Sequence, residues 1–96
     1  MLVRDFQDGQ DLDVVLLVRA AEMRRKRDGS LFLRLALGDR SGQVVTIVRD
    51  SVAEARDLCR PGRPVRVAGH YECHARWGPQ IALRALGEPA PDSFDL

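Results

Sequence analysis

Aromatic residues are scarce in this chain, with three Phe, one Tyr and one Trp among 96 residues. Stacking surfaces and large core anchors are few, so each ring needs an explanation. The two cysteines, Cys59 and Cys73, are too few for a disulfide framework, and a reducing, cytoplasmic setting is expected. No apolar run nears the roughly 20 residues of a membrane helix. The opening stretch, MLVRDFQDGQ, lacks the apolar segment of a secretory leader. No membrane partner is therefore expected. There is no phosphate-binding glycine loop of either common kind and no His-Asp dipeptide. His70, Cys73 and His74 invite a zinc reading, but strand alternation turns Cys73 away from both histidines. Cys59 has no evident base and sits on an apolar helical stripe, which suits a small buried hydrophobe. The expectation is a binding domain with no catalytic residue, metal or cofactor of its own.

What remains has a globular composition, 45% hydrophobic and 30% charged, at the length of a single domain. The net charge is +1, yet it is unevenly spread. Residues 14–49 carry eight basic side chains against three acidic ones, whereas residues 88–96 carry three acids and no base. A basic middle between acidic ends points toward a polyanionic partner.

The hydrophobic pattern has the period of strands, broken once. Residues 12–23 form a long strand whose run Val14–Val18 suits cover on both faces. Arg27–Asp28–Gly29–Ser30 is a turn. In residues 31–37, Leu31, Leu33, Leu35 and Leu37 face one way, and Phe32, Arg34 and Ala36 the other. After the turn Asp39–Gly42, residues 43–49 form a β-branched strand, with Val44, Thr46 and Val48 inward and Val45, Ile47 and Arg49 outward. Ser51 and Glu54 have capping-box spacing, and Val52, Ala55, Leu58 and Cys59 share one helical face. Arg60–Pro61–Gly62 ends that helix. Residues 64–74 alternate again, with Val65, Val67, Tyr71 and Cys73 on one side and Arg66, His70, Glu72 and His74 on the other. Residues 76–79 read as a loop and Ile81 opens the last strand. The order predicts an all-β fold, a five-stranded OB-fold barrel with one helix between strands 3 and 4, over residues 1–87. Residues 88–96, EPAPDSFDL, read as an acidic tail or linker to a missing domain.

Several short pieces fall in a characteristic order. They are Asp5-Phe6-x-x-Gly9, Leu17–Val18, Arg24, Asp28-Gly29-x-x-Phe32-Leu33 and Leu37-x-Asp39-x-x-Gly42, then Pro61–Gly62, Val67-x-Gly69 and Gly78-x-Gln80. Together they resemble an OB domain of the tRNA-anticodon-type nucleic-acid-binding class. More narrowly, they resemble the N-terminal OB domain of YhaM-type 3′–5′ exoribonucleases. The chain departs from many such relatives at Val48–Arg49–Asp50, where they carry Leu-Trp-Asp. The resemblance implies a domain that captures single-stranded nucleic acid, RNA ahead of DNA. It also implies a downstream HD phosphohydrolase domain in the parent chain.

On such a barrel the outward faces of strands 2 and 3, flanked by the loops after strands 1 and 4, hold the ligand. Cations track phosphates and rings stack on bases. The first loop offers Arg24, Arg25, Lys26 and Arg27, and the platform offers Phe32, Arg34 and Arg49. The second loop offers His74, Arg76 and Trp77. A bulge would instead turn Phe32 into the core, and charge runs are often only a solvated loop. The competing reading is an interaction module, in which Val45 and Ile47 pack on a neighbouring domain or on a second copy of the chain as a homo-oligomer.

Overall fold

The structure is a computed structural model that describes residues 2–76 and 78–89. Five strands close into a barrel in the order β1-β2-β3-β5-β4. They are β1 (Asp11–Arg25), β2 (Leu31–Asp39), β3 (Gly42–Val48), β4 (Pro64–His74) and β5 (Gly78–Gly87), with helix α1 (Val52–Leu58) between β3 and β4. This is the expected all-β barrel of OB-like topology. Among the described residues no helix is long and apolar enough to cross a membrane. The tail reading at 90–96 lies outside the described residues.

The long first strand serves two neighbours. Its first half pairs with β4, from Asp11↔His70 to Leu17↔Pro64, and its second half with β2, from Leu17↔Gly38 to Arg25↔Leu31. The β1–β2 register shifts between Val18 and Ala20. At this break the Val18 N–H donates to the Arg63 carbonyl at 2.9 Å, and the Gly62 N–H donates to the Val18 carbonyl at 2.8 Å. The loop after α1 thus satisfies backbone groups that the bend takes from the ladder. The apolar run of β1 is covered unequally. Leu16 and Val18 are buried, while Val15 and Leu17 on the outer side are half-buried.

Barrel closure is narrow at one seam. β3 and β5 run parallel and share only the pairs Val45↔Gln80 and Thr46↔Ile81. The buried Thr46 hydroxyl donates to the Ile81 carbonyl at 2.8 Å, adding a side-chain tie where the ladder is short. Gly69 sits at the β4–β5 register shift. A Cβ there would meet the Ala82 carbonyl and stand 2.7 Å from Ile81 Cγ2, so the close approach requires glycine.

Leu16, Leu33, Leu35, Leu37, Val44, Val65 and Val67 fill the barrel. α1 closes one end with buried Ala55 and Cys59, and with half-buried Val52 and Leu58. A short 3-10 turn, Val3–Asp5, adds buried Val3 to the core beside Gly42 at the start of β3. The Asp39 carboxylate holds it there, accepting from the Val3 N–H at 2.9 Å and from the Ser41 N–H and hydroxyl at 2.7 and 2.6 Å. Phe6 meets Tyr71 edge-on at 5.3 Å.

Two expectations, the capping box and the start of the last strand, need correction, and two side chains are more exposed than their strand face alone suggests. The capping box does not form: Ser51 is left-handed (φ 52°, ψ 44°) and makes no side-chain cap bond. A capping side chain needs an extended backbone to reach the first-turn amides, and this one points elsewhere. Leu31 shares its parity with the core leucines but is 46% exposed, because the β1–β2 hairpin runs past the end of the barrel. Cys73 is likewise exposed, near the end of β4. β5 begins at Gly78 and not Ile81, since Pro79 pairs with Cys73 and Gly78 with His74.

Two predictions arise here. Burial pushes the Cys59 thiol up to about 11, so it is inert near neutrality. Titration of the native chain with a thiol-alkylating reagent is expected to modify Cys73 alone, and Cys59 only on unfolding. The raised value also means that Cys59 favours the fold at neutral pH, and that this contribution fades from its unfolded value near 9 up through about 11. Asp39 behaves oppositely. Its slight burial acts to raise it, but the Ser41, Val3 and Gly42 hydrogen bonds outweigh that and hold it below the usual carboxylate value. Its contribution is present above that value and is lost as pH falls through the lowered one. Acid titration followed by amide NMR is expected to release Val3 and Ser41 together as Asp39 protonates.

Candidate nucleic-acid interface

The side chains on the outside of the barrel fall into rows set by register. On β1 and β2, Arg24 stands opposite Phe32, and Glu22 opposite Arg34. On β3, Ile47 stands opposite Arg34. Leu33 pairs with Val48, and one position beyond that pair are Phe32 on β2 and Arg49 at the exit of β3. Phe32 is half-buried, facing outward in register with an exposed arginine and not turned into the core. A strip of arginine, aromatic ring and arginine therefore crosses three strands.

The strip continues into a trough, which lies along the β3–β5 seam and not across β2 and β3. The two strands diverge beyond their two pairs, because the chain leaves β3 for α1. One part, of about 400 Å3, is lined by Ile47, Arg49, Glu72, His74 and Gln80 among others. A second part, of about 590 Å3, runs toward α1 past Arg84 and Leu58. Ile47, Arg49, Ala82 and Leu83 line both parts. The structure thus brings Arg49 and His74 to one groove, beside the row that holds Phe32 and Arg34.

The four consecutive cations are not equivalent. Arg24 donates from Nε and Nη2 to one Glu22 oxygen, at 3.0 and 2.6 Å. These hydrogen bonds, the Arg24 charge and the nearby Arg34 hold the Glu22 carboxyl below its usual range. Glu22 therefore offsets part of the charge on the strip. Arg25 alternates to the other face of the hairpin, opposite Leu31. Lys26 and Arg27 lie in the tip, closed by the Lys26 N–H to the Ser30 carbonyl at 2.8 Å and by left-handed Gly29 (φ 89°). Arg25, Arg27 and Arg49 make no ion pair among the described residues. Arg76 is exposed in the β4–β5 turn. Trp77 lies outside the described residues.

On the β1–β4 face, Arg66 makes a bidentate pair with Asp13 at 2.8 and 2.6 Å, and His70 lies 3.1 Å from Asp11. In the trough, His74 Nε2 lies 3.0 Å from Glu72 Oε2, and Arg84 reaches Asp11 at 3.7 Å. Two lining residues of the groove, Glu72 and Gln80, escape the sequence reading. The signal was present, since Glu72 shares a strand face with His74, but the pairing of Glu72 with Gln80 across β4 and β5 is set only by the fold. No family model matches this chain, and comparison with curated proteins finds no match.

Proposed function

We propose that this barrel binds single-stranded nucleic acid, laid over the β2–β3 face and into the β3–β5 trough. The observation that carries the reading is the row Arg24–Phe32–Arg49, which offers a flat ring between cations and continues into a groove with His74. Rings hold bases and cations hold phosphates, a combination that suits a flexible single strand. The sequence resemblance extends the proposal. The domain captures RNA ahead of DNA for a larger cytoplasmic HD-type 3′–5′ exoribonuclease, whose catalytic domain would follow this one.

Fluorescence anisotropy with labelled single-stranded RNA and DNA tests this reading. Binding is expected at low salt, weakening linearly on a log–log salt plot. Phe32→Ala is expected to cost about 1–3 kcal/mol of binding, the worth of one stacked base, without altering that slope. An unchanged affinity would remove Phe32 from the site.

A second reading has its own observation. Met23 and Leu31, 36% and 46% exposed, lie on the hairpin face away from Phe32. Val45 and Ile47, the earlier apolar candidates, are half-buried and offer less. As an interaction module, the barrel would show no oligonucleotide binding at low salt and would self-associate through Met23 and Leu31.

A further inference from the structure

We infer that the groove between β3 and the β4–β5 hairpin is a base-reading subsite selective for guanine; this rests on the single-strand reading above. The groove is about 400 Å3, lined by Ile47 and Leu83 and by the polar groups of Arg49, Glu72, His74 and Gln80. Glu72 and Gln80 are direct partners across β4 and β5, so both side chains stand on one face. Glu72 is further fixed by His74, whose Nε2 lies 3.0 Å from its Oε2.

A carboxylate accepts hydrogen bonds and donates none. In a groove that receives a polyanion it repels phosphate, and the acceptor capacity left beside His74 suits a base edge that carries N–H groups. Guanine alone among the four bases has two adjacent donors on its pairing edge, N1–H and the N2 amine, which match the two oxygens of one carboxylate. Adenine and cytosine set a ring acceptor beside their amine, and uracil flanks its single N–H with carbonyls. Each would turn lone pairs toward Glu72. The Gln80 amide can donate to guanine O6, the remaining group on that edge. Arg49, at the groove wall, is placed for the adjoining phosphate or the face of the ring.

Oligo-uridine strands about ten nucleotides long, each carrying a single central G, A, C or U, test the inference by anisotropy. The intact chain is expected to bind the G strand about tenfold more tightly than the other three. Glu72→Gln is expected to bring the four strands to equal affinity, and by removing a carboxylate from the groove to tighten binding of the all-uridine strand. Equal affinities for all four strands in the intact chain would overturn the inference while leaving single-strand binding standing, and so would a preference that survives Glu72→Gln. If no strand binds at low salt, the single-strand reading falls and takes this one with it.

Discussion

Neutralising Lys26 and Arg27 together, each to Gln, is expected to weaken single-strand binding roughly 25-fold near ~0.1 M salt. It is also expected to make the log–log salt slope shallower by about 1.4. Each phosphate contact on a single strand contributes about 0.7 to the slope through released counterions, and two such contacts account for the change. Arg25 is left out because it lies on the hairpin face away from Phe32. Arg24 is left out because the structure sets it apart, with two of its N–H groups already given to Glu22. Glu22→Gln is expected to have the opposite sign, since it frees Arg24 and removes a carboxylate from the strip, and so tightens binding. An anisotropy salt series on the intact chain and both variants reads all of this. A double variant that keeps the full slope would show that the hairpin tip does not meet phosphate.

Leu35→Ala is expected to destabilise the barrel by about 2–5 kcal/mol, the range for a buried leucine whose cavity cannot collapse. Leu35 is fully buried, between Ala21 on β1 and Thr46 on β3. A closed barrel holds it from all sides, so little relaxation is available. A chain of this size has a total stability of about 5–14 kcal/mol, so the loss is large. The melting temperature should fall on the order of 10–30 °C. Leu31→Ala, two turns of the pleat earlier on the same strand and of the same parity, is expected to change stability little because Leu31 is 46% exposed. Urea unfolding of the two variants should separate them clearly. A Leu35 variant within about 1 kcal/mol of the parent would place the core elsewhere.

Leu31 and Leu35 show where the sequence is legible and where it is not. Alternation reveals which face a side chain takes, because successive strand residues point to opposite sides. It does not reveal depth, which depends on how far the β1–β2 hairpin outruns its neighbours. Cys73 likewise keeps its strand face but is exposed near the end of β4. The five strands and the interposed helix were readable from period and turn chemistry alone. Ser51 was not, because its spacing to Glu54 describes a capping box only if the backbone enters the helix extended.

The candidate site divides along similar lines. Phe32, Arg34 and Arg49 face outward as alternation requires. The equivalence of Arg24 through Arg27 was an artefact of reading charge without geometry. A strand places neighbours on opposite faces, and Glu22 engages the one arginine that shares its side. The trough along β3 and β5 was hidden as well. Parallel pairing between strands far apart in sequence leaves no local trace, and neither does the point at which it stops after Thr46↔Ile81.

Amide NMR of the labelled chain, titrated with a short single-stranded RNA, measures directly where a single strand touches the barrel. Shifts are expected at Phe32, Arg34, Ile47, Arg49 and His74, with little change at Asp13 and Arg66 on the β1–β4 face. Shifts centred on Asp13 and Arg66, or none at saturating RNA, would contradict it.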